Sequence, residues 1–183
     1  MKSVDTSKWK PFKIGGLFDK LELKCKKKDF NKAFDISTEK NGEFSLPLVN
    51  AKHSNNGIMY YGRKVDFDYA EMTLDVVADG AASTGDVYPQ PQETGVLYNA
   101  YLIKPKTYGI SELVLCFLAT VVQKCIKHKY GYDNKAGWSK VKNEIIYLPV
   151  TKNGEPDWEY MENYMREIES QCNEKLDTLM SIM

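Results

Sequence analysis

The apolar residues in the middle of this chain recur in short runs with the two-residue period of β-strands, and turn residues separate the runs. Residues 73–78 place Leu and Val at alternate positions, and residues 95–104 form another such run. Further strands are predicted at residues 43–50, 58–61, 87–88 and 145–150. Pro47 lacks the N–H that a central strand donates, so residues 43–50 are predicted to lie at a sheet edge or to bend there.

Other parts of the chain have a helical period or no period. Residues 111–129 place apolar side chains three and four positions apart, with Ser111 as the N-cap and Glu112 in the first turn, which predicts a helix. Residues 9–23 predict a strand, a glycine turn and then a short helix. Residues 25–42 are polar and rich in lysine, which predicts a loop.

The end of the chain predicts a second, longer helix. Pro156 is a residue favoured at the first helical position. The apolar row that follows comprises Trp158, Met161, Met165, Ile168, Cys172, Leu179 and Ile182. A helix of about 27 residues would extend roughly 40 Å, which is too long to stay over a small body. We therefore expect one domain over residues 1–152 and a helical arm over residues 153–183 that packs against a partner, with docking on its own domain as the alternative.

The order of these elements predicts an α/β (α+β) fold. Its main part would be a mixed, mostly antiparallel sheet domain with packed helices, and the long C-terminal helix would follow it. A hydrophobic share of 43% and a rich aromatic content support a folded chain with a core rather than a disordered one.

Charge is balanced over the whole chain but not along it. The formal net charge is zero. Lysines concentrate in residues 8–32 and 104–142, whereas acidic residues dominate residues 155–177. This asymmetry predicts one surface for a polyanion and another for a protein partner, and clustered solvated faces are the alternative.

The chain carries no sequence signal for export or for a membrane. Its four cysteines form no CxxC pair, and its polar N-terminus lacks the apolar stretch of a signal peptide. No apolar run approaches the roughly 20 residues that span a bilayer. We expect reduced thiols, a cytoplasmic location and no membrane association.

Enzyme motifs are scarce. The sequence has no phosphate-binding loop, no dinucleotide fingerprint, no HExxH and no GxSxG. Cys125 and His128 lie one helical turn apart, but Cys125 belongs to the apolar face, which favours a buried thiol beside an exposed imidazole. We therefore expect no catalytic residue.

The acidic residues at positions 66–75 raise one enzymatic alternative. Asp66, Asp68, Glu71 and Asp75 would allow a small metal-dependent endonuclease or DNA-modifying enzyme using Mg²⁺. They lack the spacing of acid, acid and lysine on one strand that nucleases use, so a solvated turn is the preferred interpretation. We expect no metal site.

A basic, aromatic segment at residues 124–142 favours binding of DNA. Lysine ammonium groups bind phosphates, and the small residues of the loop at 79–86 would let its backbone approach a large partner closely. A wet loop around a buried Trp138 is the alternative. The predicted DNA-binding residues are Lys127, Lys129, Tyr130, Asn134, Lys135, Trp138 and Lys140 in this segment, and Lys52, His53, Asn55, Asn56, Arg63, Ser83 and Thr84 on other loops.

Four blocks of sequence, in a fixed order and spacing, resemble a known family. They are WKPFKIGGLF, NGIMYYG, TLDVVADGAASTGDVYPQPQETGVLYNAYLIKP and FLATVVQKCIKHKYGYDNKAGWSKVKNEIIYLPV. In these blocks the chain resembles a target recognition domain of the specificity (S) subunits of type I restriction–modification systems, including type IIB and IIG relatives. The resemblance spans nearly the whole chain.

The resemblance implies a non-catalytic reader of double-stranded DNA with an α/β body and a helical spacer. Such a subunit recruits a DNA adenine methyltransferase subunit, and a restriction subunit as a further partner. S-adenosylmethionine would be bound by the methyltransferase, so no cofactor is expected on this chain, which lacks the Asn-Pro-Pro-aromatic motif. A full S subunit has two recognition domains and two spacers. This chain has one recognition domain and one spacer. The resemblance therefore implies a half-size subunit that forms a homodimer through the Trp158–Leu179 row, an excised domain, or a truncated product.

Overall fold

The structure, a computed structural model, describes residues 4–181. Most strands are short, in keeping with the short apolar runs of the sequence. The elements in chain order are β1 (Lys10–Lys13), α1 (Ile14–Leu17), β2 (Phe18–Lys20), α2 (Lys32–Asp35), β3 (Ile36–Ser37), β4 (Leu46–Val49), β5 (Ile58–Gly62), β6 (Thr73–Val77), β7 (Val87–Gln90), β8 (Gly95–Val96), β9 (Ala100–Pro105), α3 (Glu112–Ile126), α4 (Trp138–Val141), β10 (Ile145–Leu148) and α5 (Trp158–Met180).

The strands form three hydrogen-bonded groups. The central sheet has the order β2-β9-β6-β7 and is antiparallel throughout. The second sheet has the order β3-β5-β4-β8, in which β4 and β8 are the parallel pair. β1 and β10 pair in a separate antiparallel ladder. The predicted mixed, mostly antiparallel fold with packed helices is therefore confirmed.

The main core lies between α3 and the central sheet. Leu74 and Val76 of β6 are completely buried in one apolar cluster with Leu115 of α3. The side chain of Ser111 accepts a hydrogen bond from the backbone N–H of Val114 at 3.2 Å, which confirms the predicted cap. The position of α3 is thus fixed both by its cap and by its apolar face.

β6 is buried on both faces. Leu74 and Val76 belong to the main core, and Asp75 on the other face is completely buried as well. The segment at residues 50–57 covers that face, because a Cβ placed on Gly57 would lie 2.3 Å from Oδ2 of Asp75. The prediction that Asp75 belongs to a solvated turn is therefore wrong.

Several short elements differ from the prediction. The run at residues 95–104 is divided into β8 and β9 by a turn in which Asn99 has a φ of 66°. α2 and β3 lie in the segment predicted as loop, α1 precedes β2 instead of ending its segment, and α4 was not predicted. One-turn helices and two-residue strands are too short to produce a detectable period. Pro47 has a strand neighbour on one side, because β8 begins opposite Leu48.

α5 begins two residues later than the sequence indicates. Pro156 forms an isolated bridge with Val150, and Asp157 caps the helix by accepting the backbone N–H of Tyr160 at 3.0 Å. Met161 is completely buried against the main core, whereas Leu179 is 61% exposed. The first half of α5 therefore docks on its own body, and the second half is exposed. Among residues 4–181, no helix combines the length and apolar character needed to cross a membrane.

Candidate nucleic-acid interface

Three loops meet at one end of the central sheet, and we call residues 50–57, 79–86 and 127–136 together the loop surface. The first two touch directly, because a Cβ on Gly80 would lie 2.7 Å from the Cβ of Ala51. The second packs on the end of α3, since a Cβ on Gly85 would lie 3.1 Å from the Cα of Lys127. The backbone N–H of Ala136 donates to the carbonyl of Ala78 at 2.9 Å. The three loops therefore form one continuous structure.

The 79–86 loop uses its own hydroxyl groups to hold its shape. The Ser83 hydroxyl donates to the carbonyl of Gly80 at 2.7 Å, and the Thr84 hydroxyl accepts the N–H of Gly80 at 3.0 Å. Ser83 and Thr84 are both buried, and the exposed tip consists of Ala81 and Ala82. Both hydroxyl groups, which the sequence suggested as base-reading groups, thus act inside the loop.

The 50–57 loop has an unusual backbone. Ser54, Asn55, Asn56 and Gly57 all have positive φ, a conformation that is uncommon for residues other than glycine. Asn55 stabilises it locally, because its side-chain amide donates to the carbonyl of Ile58 at 2.9 Å.

Residues of β7 hydrogen-bond to the 50–57 loop and fix its position. The amide of Asn56 donates to the carbonyl of Pro89 at 2.8 Å, and the buried Gln90 amide donates to the carbonyl of Asn56 at 2.7 Å. The Tyr88 hydroxyl accepts the N–H of Ser54 at 2.9 Å. A run of strained residues that is held by a neighbouring strand is typical of a loop whose shape matters for function.

Asp86 is a buried acid that the sequence did not single out. Its Oδ2 lies 2.7 Å from Nδ1 of His53, and its Oδ1 lies 2.7 Å from Nζ of Lys127. Lys127 also donates to the carbonyls of Ala82 at 2.7 Å and Thr84 at 3.3 Å. The only sequence signal for this role was the position of Asp86 between a loop and a strand.

The other lysines of the loop surface are paired to different extents. Lys135 forms an ion pair with Asp79, and this hydrogen bond raises the pKa of the lysine. Lys129 forms an ion pair with Glu144. Among residues 4–181, Lys52 makes no ion pair. The surface is therefore less cationic than its lysine count suggests.

The aromatic and amide candidates of the 127–136 loop pack beside it. The Tyr130 hydroxyl donates to Glu144 at 2.8 Å, and burial followed by that carboxylate raises the pKa of Tyr130 to about 12. Nζ of Lys140 donates to Oδ1 of Asn134 at 2.7 Å. Trp138 is half-buried, with its ring centroid 6.2 Å from that of Tyr101. Trp138 therefore packs against the main core with part of its ring exposed.

Arg63, another predicted DNA-binding residue, makes its hydrogen bonds and ion pairs in a different part of the fold. Its guanidinium group donates to Glu43 at 2.7 Å, to Asp35 at 3.2 Å and to Asp66 at 3.3 Å. The bond to Glu43 is the main cause of a raised Arg63 pKa. The structure does not bring Arg63 to the loop surface.

The acidic residues considered for metal binding are dispersed. Asp66 pairs with Arg63, and Asp68 lies 3.3 Å from Nζ of Lys26. Among residues 4–181, no three Asp, Glu, His or Cys side chains are grouped so that they could hold a metal ion. Cys125 is half-buried, which raises the pKa of its thiol, and His128 is exposed.

The apolar row of α5 divides into two parts. Trp158 and Met165 pack against the main core beside the buried Met161, and Ile168 is half-buried. Cys172 and Leu179 are exposed. Ile182 lies outside the described residues. The first part of the row thus contacts the chain's own domain, and only the second part is left for a partner.

Comparisons with known proteins give relatives of this chain in sequence and in fold. The chain is 26% identical over 171 residues to the type II restriction enzyme specificity subunit S.BcgI of Heyndrickxia coagulans, a match covering 93% of this chain and 46% of the relative. Its fold is similar to the S subunit of a type I restriction–modification system from M. genitalium, with a TM-score of 0.54, 13% identity, and coverage of 96% of this chain and 44% of that one. It is also similar to the HsdS subunit of Thermoanaerobacter tengcongensis, with a TM-score of 0.53, 12% identity, and coverage of 93% and 39%.

The chain therefore spans less than half the length of each of these relatives. A family model described as the type I restriction modification DNA specificity domain matches residues 6–178. Because that match covers almost the whole chain, the protein belongs to the family of type I restriction modification DNA specificity domains.

Proposed function

We propose that this chain recognises a specific sequence in double-stranded DNA for a restriction–modification system and performs no chemistry itself. The observation that carries the proposal is the loop surface, in which three loops are tied into one structure with a tip of Ala81 and Ala82. A small-residue tip held rigidly can approach the edges of base pairs closely. Family membership supports the same role.

Phosphate contacts and base contacts would come from different parts of the loop surface. Lys52 and Lys135 on the loop surface and Lys140 beside it are cations suited to phosphates, and Lys135 would exchange its ion pair with Asp79 for a phosphate. His53 and Asn55 are exposed on the 50–57 loop and can hydrogen-bond to base edges. The backbone around Ala81 and Ala82 adds further donors and acceptors at the tip.

The partners would be enzyme subunits of the same system. Similarity to S.BcgI, named as a specificity subunit, supports binding to a DNA adenine methyltransferase subunit, with a restriction subunit as a further partner. S-adenosylmethionine would then be bound by the methyltransferase and not by this chain. The acidic exposed face of α5 suits a protein partner better than DNA, because like charges repel phosphates.

We also propose that residues 1–152 are the recognition domain and that residues 153–183 form the arm of a homodimer. A groove of roughly 1010 Å³ lies between α3, β10 and the first half of α5, and Phe117, Val121 and Ile168 contribute to its apolar lining. Leu176 and Leu179, on the second half of α5, are 55% and 61% exposed. In an antiparallel pair, the second half of one α5 would lie along the groove of the other copy.

Binding of the purified chain to DNA tests the main proposal. Fluorescence anisotropy with a random-sequence duplex at low salt should show weak binding, and selection from a random library should yield one enriched sequence bound at least 10³-fold more tightly. The chain alone, with Mg²⁺ and S-adenosylmethionine, should neither cut nor methylate that duplex. Failure to enrich any sequence, or cleavage by the chain alone, would contradict the proposal.

A further inference from the structure

The buried carboxylate of Asp86 links three separate segments of the chain. Asp86 precedes β7, and its side chain is only 4% exposed. It contacts His53 on the 50–57 loop, Lys127 at the end of α3, and the hydroxyl of Tyr88 at 3.4 Å. The same Tyr88 hydroxyl accepts the N–H of Ser54. Asp86 therefore contacts His53 of the 50–57 loop directly and is linked to the next residue, Ser54, through the Tyr88 hydroxyl.

The ammonium group of Lys127 makes all three of its hydrogen bonds within the protein. An ammonium group has three donors and no acceptor. The Lys127 ammonium meets three acceptors: the carboxylate of Asp86 and the carbonyls of Ala82 and Thr84. Those carbonyls belong to the small-residue loop, so the lysine closes the 79–86 loop onto α3. A phosphate contact would require Lys127 to release one of these partners.

We propose that Asp86 and Lys127 are a positioning pair that sets the shape of the loop surface, and that Lys127 acts on DNA recognition through the 79–86 loop and not as a phosphate ligand. This inference rests on the proposed function, since the loop surface matters only if it meets DNA. The carboxylate of the pair is buried, so removing Lys127 leaves it with only His53 and the Tyr88 hydroxyl as partners, and removing Asp86 leaves Lys127 with carbonyl partners alone. Such a change should loosen both loops together.

Hydrogen–deuterium exchange on the DNA-free protein gives the first test. In Lys127→Met, which keeps the aliphatic stem, peptides covering residues 50–57 and 79–86 should exchange at least tenfold faster than in the unchanged protein. Lys124→Met is the matched control: it lies three residues earlier on α3, is exposed and makes no ion pair with residues 4–181, so exchange in these peptides should not change. Unchanged exchange in Lys127→Met would overturn the proposal.

The salt dependence of DNA binding gives the second test. A lost phosphate contact lowers the slope of log Kd against log salt by about 0.9 and weakens selected and random duplexes alike. For Lys127→Met we expect an unchanged slope and at least a tenfold loss of discrimination between a selected duplex and a random one. A slope reduced by about 0.9 with discrimination intact would instead make Lys127 a phosphate ligand.

A double variant covers the case in which Lys127→Met does not fold. Asp86→Asn/Lys127→Met leaves no charge unpaired in this pair, and its loop peptides should still exchange faster than those of the unchanged protein. Exchange at the original rate would overturn the positioning role. If the unchanged protein binds no DNA at all, the proposed function fails, and the exchange measurement still decides whether the pair holds the loops.

Discussion

The carboxyl group of Asp75 lies completely buried on β6, and neither of its oxygens has a hydrogen-bond partner among residues 4–181. Burial, and then the charge of Asp86, raises its pKa well above the ordinary value of 3.8. The folded protein therefore keeps a proton that the unfolded chain releases as the pH rises past about 4. The free energy of unfolding therefore falls as the pH rises from about 4 to the pKa of Asp75 in the folded protein.

Asp75→Asn should remove this pH dependence, because the amide has a similar size and stays neutral. The free energy of unfolding of the variant, relative to the unchanged protein, should rise by up to about 1.4 kcal/mol for each pH unit between the two pKa values of Asp75. Thermal unfolding followed by circular dichroism at pH 4.5, 6 and 8 measures it. A difference between the two proteins that stays constant across this range would contradict the assignment.

At the scale of elements, the apolar row of α5 contains both buried and exposed residues. Met161 is completely buried against the main core, whereas Leu179 is 61% exposed on the same helix. Met161→Ala should lower the free energy of unfolding by about 2–5 kcal/mol, because it removes buried surface and leaves a cavity. Leu179→Ala is the matched control and should change it by less than about 0.5 kcal/mol at concentrations where the chain is monomeric. Urea unfolding measures both, and equal effects would contradict the division of the helix.

The long periodic elements were predictable, and the short ones were not. α3 and its Ser111 cap followed from a helical period and an N-cap residue, and β6 followed from its apolar run. The break between β8 and β9 depends on the left-handed backbone of Asn99, which asparagine tolerates but does not require. The burial of both faces of β6 depends on a distant loop that packs over it, which no local pattern encodes.

The same limit applies to the loop surface. The sequence placed its candidate DNA-binding residues on loops rich in small residues, asparagines and lysines, and the structure brings the loops at 50–57, 79–86 and 127–136 together. It could not indicate that the hydroxyls of Ser83 and Thr84 close their own loop, because their partner Gly80 depends on how the loop folds. It could not indicate that Lys127 meets Asp86, which lies on a separate element. Side-chain chemistry was visible in the sequence, and hydrogen-bond partners were not.

At the scale of the whole molecule, the proposed homodimer depends on α5. At 23 residues it extends about 35 Å, and its second half runs beyond the contacts of its own domain. The exposed Leu176 and Leu179 lie on one side of that half, three positions apart. Apolar residues at this spacing are stabilised when a second helix packs on them. A symmetric dimer would place two copies of the loop surface at a fixed separation, so each DNA duplex would be read at two half-sites.

Leu179→Asp should therefore weaken the dimer, because a buried charge without a partner opposes packing of the two helices. We expect at least a tenfold increase in the dimer dissociation constant, measured by light scattering over a concentration series. Thr178→Asp introduces the same charge on the opposite side of the exposed half of α5 and should leave that constant within about twofold. If the unchanged protein scatters as a single chain at every concentration, or if both variants dissociate equally, the arm does not join two copies and one chain reads one half-site.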